Sequence, residues 1–465
     1  MSRTILPPVG GLHLPVSRRS LLGATALLAG AGVLGRGGRP VWAQDVFEEI
    51  KPQWTAAQID WMQQKGKSIT IGALQHPWTD AITPLLPHFT RLTGIDVKLQ
   101  AQSETEYVAE MPVKLGAKNA TPDVYMVWAL GQSIGAGWLQ PLDAMVADKN
   151  LTDLAWWDGA DVFSSAHAFQ KWSDGKQYVM AITAEAQTLF MNKTMLDAKG
   201  LGAPRTMDEL LSTALALKTA DVAGIAMRAK ASADAASWPA GGFVFTYGGS
   251  VIDPATGKSG LGSPGSIAGV EMYGRLLREA GPIGVGSYHW MECLNDFMAG
   301  AVAIGCDSSN FATDIANPEK STVAGNALYG ALPAAGDKPG KPNMWHWTCG
   351  MNANSASKEA AWLFLEWATS KPTCALAAAA GLATPRASAW ASSAFKDRFG
   401  AQAADAALAN LKAADGDLFK AAWFNAKGPE ILDAFSIAVN ETVTGAKPAA
   451  QAMADADAKL AKVLG

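Results

Sequence analysis

The sequence predicts an α/β fold arranged as two lobes, and three observations carry that prediction. The chain has 465 residues, more than one ordinary hydrophobic core accommodates, so it divides into two or more domains. Short apolar runs of strand length alternate with amphipathic stretches of helix length along both halves, as in open α/β sheets. Several of the apolar runs also end in polar or aromatic residues, at the place where such sheets bind their ligands.

Taken in order, residues 44–67 read as a polar lead-in with a short helix. "SITIGAL" (68–74) reads as a strand. "DAITPLLPHFTRLTG" is a helix stopped by Gly94, and "IDVKLQ" is a second strand, which completes a βαβ start. "EYVAEMPVKLGAKNA" is helical, and "PDVYMVW" is the continuous apolar run of a buried parallel strand. "GWLQPLDAMV" turns into a helix. "KQYVMAITAEAQTLFMNKTML" gives two strands around a bend. In "TMDELLSTALALKTA", Thr206 is a candidate N-cap with Glu209 three residues on, the pattern of a capping box. Helices follow in "GSIAGVEMYGRLLREAG" and "MECLNDFMAG", then a strand in "AVAIGC". "SASKEAAWLFLEWATSK" is a strongly apolar helix. The chain closes on a helix with Met453, Leu460 and Leu464 on one stripe.

Composition narrows the function. Hydrophobic residues make up 49% and charged residues 17%, which suits a globular protein and opposes disorder. The net charge is -4 with no basic run, which argues against nucleic acid as a partner. Cys293, Cys306, Cys349 and Cys374 are widely spaced and form no CxxC, so zinc and thioredoxin-like chemistry lack support. In an exported chain they can form one or two disulfides or remain as buried thiols. No HExxH, GxSxG, P-loop or EF-hand loop occurs, and the histidines show no metal-ligand spacing. No catalytic set, metal or cofactor is therefore expected. Near the N-terminus, Arg18 and Arg19 precede the Gly/Ala-rich apolar run 21–35, and a small-residue cleavage site follows Ala43. This resembles a twin-arginine signal peptide spanning 1–43 and implies export to the periplasm.

The aromatic set is skewed, with 17 tryptophans against 7 tyrosines. An indole offers a flat apolar face and one N–H donor, which matches the C–H faces of a sugar ring. The strand-end rule selects Gln75 and His76, with Trp78 close by, after the first strand. It selects Trp128 after "PDVYMV", and Asp307, Ser308 and Asn310 after "AVAIGC". In "NMWHWTCG", strand alternation puts Trp345 and Trp347 on one face and His346 on the other. Trp362 and Trp367 sit on an apolar helix and belong to a core.

These segments together resemble the extracellular solute-binding proteins of carbohydrate ABC importers, the family that contains maltose-binding protein. The resemblance runs through "PDVYMVWALGQSIGAGWLQPLDAM", "YVMAITAEAQTLFMNKTML", "FMAGAVAIGCDSSN" (with Ile304 where Met is usual), "CGMNANSASKEAAWLFLEWATS" and "GLATPRASAW". It implies a type II periplasmic binding fold, with a ligand cleft between lobes and several crossovers. The implied segments are 44–183 and 346–400 in one lobe, and 184–345 and 401–465 in the other. By the same resemblance Gln75, His76, Trp128, Glu185, Asp307, Ser308 and Asn310 contact ligand. Trp345 and Trp347 supply further aromatic wall, and Trp78, Ser103 and Trp238 are lesser candidates. Ser308 stands where maltose-binding protein has a stacking tryptophan, and Gly131 where it has an aspartate. The expected function is capture of a sugar by a monomer that docks on a two-subunit permease. A polyol, an anionic (phosphorylated or sulfonated) sugar or a polyamine in the same fold, or a secreted glycan-active enzyme, are the other readings.

Overall fold

The computed structural model describes residues 46–465. The signal-peptide reading of 1–43 lies outside them. The first apolar runs form a sheet in the order β2–β1–β3–β10–β4, where β1 is Ser68–Leu74, β2 Asp96–Gln102, β3 Val124–Val127, β4 Val179–Ala181 and β10 Thr348–Met351. β1 pairs parallel with both β2 and β3, whereas β10 runs antiparallel between β3 and β4. The second sheet has the order β6–β7–β5–β8, with β5 Glu185–Asn192, β6 Ala223–Ala226, β7 Val302–Ser308 and β8 Ala327–Gly330. The two-residue β9, Met344–Trp345, pairs with the start of β5. β3, β5, β7 and β10 are buried at every position; β3 shows this as an unbroken apolar run, whereas β5 and β7 also bury polar residues such as Glu185, Gln187 and Asp307.

Two crossovers link the sheets and run side by side. Residues 182–184 carry the chain from β4 to β5, and His346 and Trp347 carry it back from β9 to β10. The Ile182 N–H donates to the Trp347 carbonyl at 2.7 Å, and the Trp347 N–H donates to Thr183 Oγ1 at 3.0 Å. Further on, the helix Ala401–Ala413 packs on β5 and β8. There the buried Asn410 side chain reaches Thr188 Oγ1 and the Gly330 carbonyl.

Most elements form where the sequence places them, with instructive differences. β7 continues through Ser308, because Asp307 and Ser308 pair with Thr188 and Gln187 of β5. These two residues are therefore strand residues rather than a loop. Thr206 caps the helix Met207–Leu217 by accepting the Glu209 N–H, but the Glu209 carboxylate reaches back to the Arg205 N–H instead of the cap residue. Gly94 adopts φ +68° and stops its helix in the left-handed region. Trp362 and Trp367 are core, the latter against Phe89 at 5.1 Å between ring centroids. All four cysteines are buried and unpaired. No helix among the described residues is long and apolar enough to cross a membrane.

Gly131 has a steric reason. It is the second residue of the helix Leu130–Gly135 beyond β3, and a Cβ there would overlap the carbonyl oxygens of Phe424 and Asn425. Backbone cannot yield as a flexible side chain can. Gly131→Ala is expected to cost about 1–3 kcal/mol, as overpacking does, read as a lower midpoint in urea unfolding.

Candidate functional site

A half-enclosed cavity lies where β1, β3, β5 and β7 meet the crossovers. Six tryptophans line it: Trp128, Trp238, Trp290, Trp345, Trp347 and Trp423. Trp345 and Trp347 meet edge to face, with centroids 5.3 Å apart and planes at 70°. His76 stands edge-on to Trp347 at 5.5 Å. The space open to the centres of water-sized spheres is about 70 Å³. One enclosed water needs roughly 10–15 Å³ on that measure, so the cavity fits a molecule with only a handful of polar groups.

The polar wall is built around Glu185, at the first position of β5. Its Oε1 accepts from Thr183 Oγ1 at 2.9 Å, and its Oε2 accepts from Ser308 Oγ at 2.6 Å. His76 Nε2 lies 3.5 Å from Oε1. Burial pushes the Glu185 pKa up, but the interactions with His76, Ser308 and Thr183 outweigh it and hold the carboxyl below its ordinary range. His76 is also the N-cap of the helix Pro77–Ile82, where its Nδ1 accepts the Trp78 N–H at 3.0 Å. An accepting Nδ1 leaves the ring proton on Nε2, facing Glu185. A hydroxyl placed between them could accept from one and donate to the other.

A second polar group comes from segments flanking the second sheet. Arg228, just after β6, makes a two-pronged pair with Asp307, Nε to Oδ2 at 2.8 Å and Nη2 to Oδ1 at 2.6 Å. Its guanidinium lies 5.3 Å from the Trp238 ring centre. Burial disfavours its charge and Asp307 more than restores it. Asp234 faces His289 Nε2 at 3.4 Å. Burial opposes the Asp234 charge, but His289 and Ser232 hold the carboxyl well below its usual range. Glu104, just beyond β2, accepts the Trp290 Nε1–H at 2.9 Å, a bond between segments belonging to the two sheets. Burial raises its pKa, and the neighbouring charges and this bond offset only part of the rise.

Three polar atoms in the lining are buried and have no partner among the described residues: Asn310 Nδ2, Asn310 Oδ1 and Trp345 Nε1. A buried donor or acceptor left unpaired costs about 1–3 kcal/mol. Their position in the wall of the cavity points to a bound solute with hydroxyl groups.

Residues 75–373 match the bacterial extracellular solute-binding protein family. The chain belongs to that family. This solute-binding protein is 28% identical over 415 residues to the erythritol/L-threitol-binding protein of Mycolicibacterium smegmatis, covering 82% of this chain and 83% of that one. To the mannitol-binding protein of Pseudomonas aeruginosa it is 27% identical over 241 residues, which are 50% of this chain and 52% of that one. Its fold superimposes with a TM-score of 0.78 on an ABC transporter solute-binding protein from Agrobacterium radiobacter in complex with ribitol, at 23% identity, over 86% of this chain and 99% of that chain. The two-lobed α/β architecture is that of periplasmic solute-binding proteins, and the relatives are binding proteins rather than enzymes.

The cavity brings together Gln75, His76, Trp128, Glu185, Ser308, Asn310, Trp345, Trp347 and Trp238. Three sequence candidates lie elsewhere. Asp307 sits behind the wall, with both oxygens committed to Arg228. Trp78 is 2% exposed in the core beneath the cavity, because the helix that His76 caps turns it inward. Ser103 forms a reciprocal capping box with Glu106, and it is Glu104, the next residue, that reaches the lining. Sequence reading missed Arg228, Asp234, Glu104, Trp290 and Trp423. The strand-end rule finds Arg228 once "AGIA" is read as β6. Glu104, Trp290 and Trp423 sit at helix starts and ends, and Asp234 in the turn before the helix Ser237–Thr246, places that carry no comparable signal.

His346 points away from the cavity, as alternation requires. Its Nδ1 donates to the Thr183 carbonyl at 2.8 Å, and Nε2 lies 3.0 Å from Ser165 Oγ. Burial pushes its pKa down to about 4 from 6.5. Between those values the unfolded chain binds a proton that the folded one refuses, so stability rises with pH there and is lost as the medium is acidified. The contribution is expected to approach about 1.4 kcal/mol per pH unit, read as urea midpoints between pH 4.5 and 6.5, and His346→Asn should flatten it.

Proposed function

We propose that this protein captures a small polyol or monosaccharide in the cavity and delivers it to an ABC permease. The observation that carries the reading is the set of orphaned atoms, Asn310 Nδ2 and Oδ1 and Trp345 Nε1, in a tryptophan-lined enclosure. A polyhydroxy solute supplies a donor and an acceptor at each hydroxyl and an apolar C–H face to each indole. The cavity volume favours a short open chain or a single ring over an oligosaccharide, and the binding of erythritol, threitol and mannitol by the curated relatives agrees with that size. Ligand groups that touch both lobes stabilise the closed arrangement, as the Glu104–Trp290 bond does. No bond is broken in the process. In this reading Arg18, Arg19 and the apolar run after them direct export through the twin-arginine route, with cleavage near Ala43 and a monomeric product in the periplasm.

The test is thermal unfolding and tryptophan fluorescence against erythritol, threitol, ribitol, mannitol, monosaccharides and maltose. A ligand at about a thousand times its Kd adds about 4 kcal/mol, so one small polyol or monosaccharide should raise the midpoint by several degrees and be recovered unchanged. Asn310→Ala should weaken that ligand about 10- to 100-fold, the equivalent of one or two lost hydrogen bonds. Maltose as the tightest ligand, or conversion of any ligand to product, would overturn the reading.

A further inference from the structure

The cavity wall contains a single guanidinium and three carboxylates, Arg228 against Glu104, Glu185 and Asp234. A buried arginine beside a polyhydroxy ligand would ordinarily suggest a phosphate or carboxylate on that ligand, since its fork matches both. Here the fork is already occupied. Asp307 takes Nε and Nη2, and the Asp307 carboxylate is itself fixed by the Ser308 N–H, which donates to Oδ1 at 2.7 Å. Tyr273 donates to the Arg228 carbonyl at 2.6 Å and so fixes the backbone end. The guanidinium lies over Trp238. Of its terminal nitrogens, Nη1 alone has no hydrogen-bond partner among the described residues.

We propose that Asp307 is a specificity-determining positioning residue, which cancels the Arg228 charge and leaves Nη1 as a donor to a neutral hydroxyl, so that the site rejects anionic polyols. With the Arg228 and Asp307 charges balanced, the ligand meets the Glu104, Glu185 and Asp234 carboxylates, and no lysine or second arginine stands in the lining. A phosphate or carboxylate group brought into that enclosure meets like charges at low dielectric, whereas a hydroxyl can donate to the same oxygens. This rests on the polyol reading above and decides between its neutral and anionic forms.

The experiment compares neutral and anionic versions of one carbon chain by calorimetry on the purified protein: erythritol with erythritol 4-phosphate, and ribitol with ribitol 5-phosphate. The neutral member of the pair that binds is expected to bind at least about 100-fold more tightly than its phosphate. In Asp307→Asn the guanidinium charge is released, and the phosphate-to-neutral affinity ratio should move toward the phosphate by about tenfold or more. A purely structural role for Asp307 would weaken both ligands and leave the ratio where it was. Because Asp307→Asn leaves a buried charge alone and can fail to fold, the double variant Arg228→Met with Asp307→Leu removes the pair together. It should lose about tenfold for the neutral ligand and still reject the phosphate. Equal or tighter phosphate binding by the unaltered protein, an unmoved ratio in Asp307→Asn, or loss of phosphate rejection in the double variant each overturns the proposal. Failure of every polyol, neutral and charged, overturns the polyol reading itself.

Discussion

The site depends on one threonine between the two sheets. Thr183 lies in the crossover from β4 to β5, and its hydroxyl accepts the Trp347 N–H while donating to Glu185 Oε1. Its carbonyl accepts from His346. One residue thereby ties the outgoing crossover to the returning one and orients the carboxylate around which the polar wall is assembled. Trp345 and Trp347 flank His346 in the returning crossover, so anchoring His346 on the far side turns both indoles into the cavity. The chain bends between lobes at the same point where it presents ligand groups, so hinge and site cannot be altered independently.

The two histidines nearest the cavity's carboxylates follow a common design. His76 and His289 each cap a helix, and each accepts a backbone N–H at Nδ1, from Trp78 and Trp290 respectively. A ring nitrogen that accepts a backbone donor cannot also carry a proton, so the ring proton sits on Nε2, 3.5 Å from Glu185 in one case and 3.4 Å from Asp234 in the other. The helix cap therefore sets the polarity of the neighbouring wall. This is how Glu185 and Asp234 stay ionised in a cavity walled mainly by indoles, where burial alone would favour their neutral forms.

How much of this was legible in the sequence follows from what each signal physically encodes. Buried strands write themselves as apolar runs, so β1, β3 and most of β7, with the residues just past them, are read directly. His76, Trp128 and Asn310 came from that rule, and Trp345 with Trp347 came from strand alternation. Orientation at a strand's end depends on pairing with the next strand, which is why Asp307 was read as facing the ligand when β5 holds it extended toward Arg228. Glu104, Trp290 and Trp423 are brought in by the packing of helices from distant parts of the chain, and nothing local marks them. Ser103 caps a helix, and its neighbour Glu104 reaches the lining, a difference that a serine at this position does not reveal in sequence.

The four cysteines have a consequence for how the chain reaches its native form. Each is buried, and none is joined to another. Burial raises the pKa of the Cys349 and Cys306 thiols, which suppresses the reactive thiolate. No covalent cross-link is needed to complete the fold, so it can be finished in a reducing compartment without oxidative folding enzymes. Once packed, the same thiols are shielded from an oxidising medium, so the covalent structure is the same in a reducing and an oxidising one.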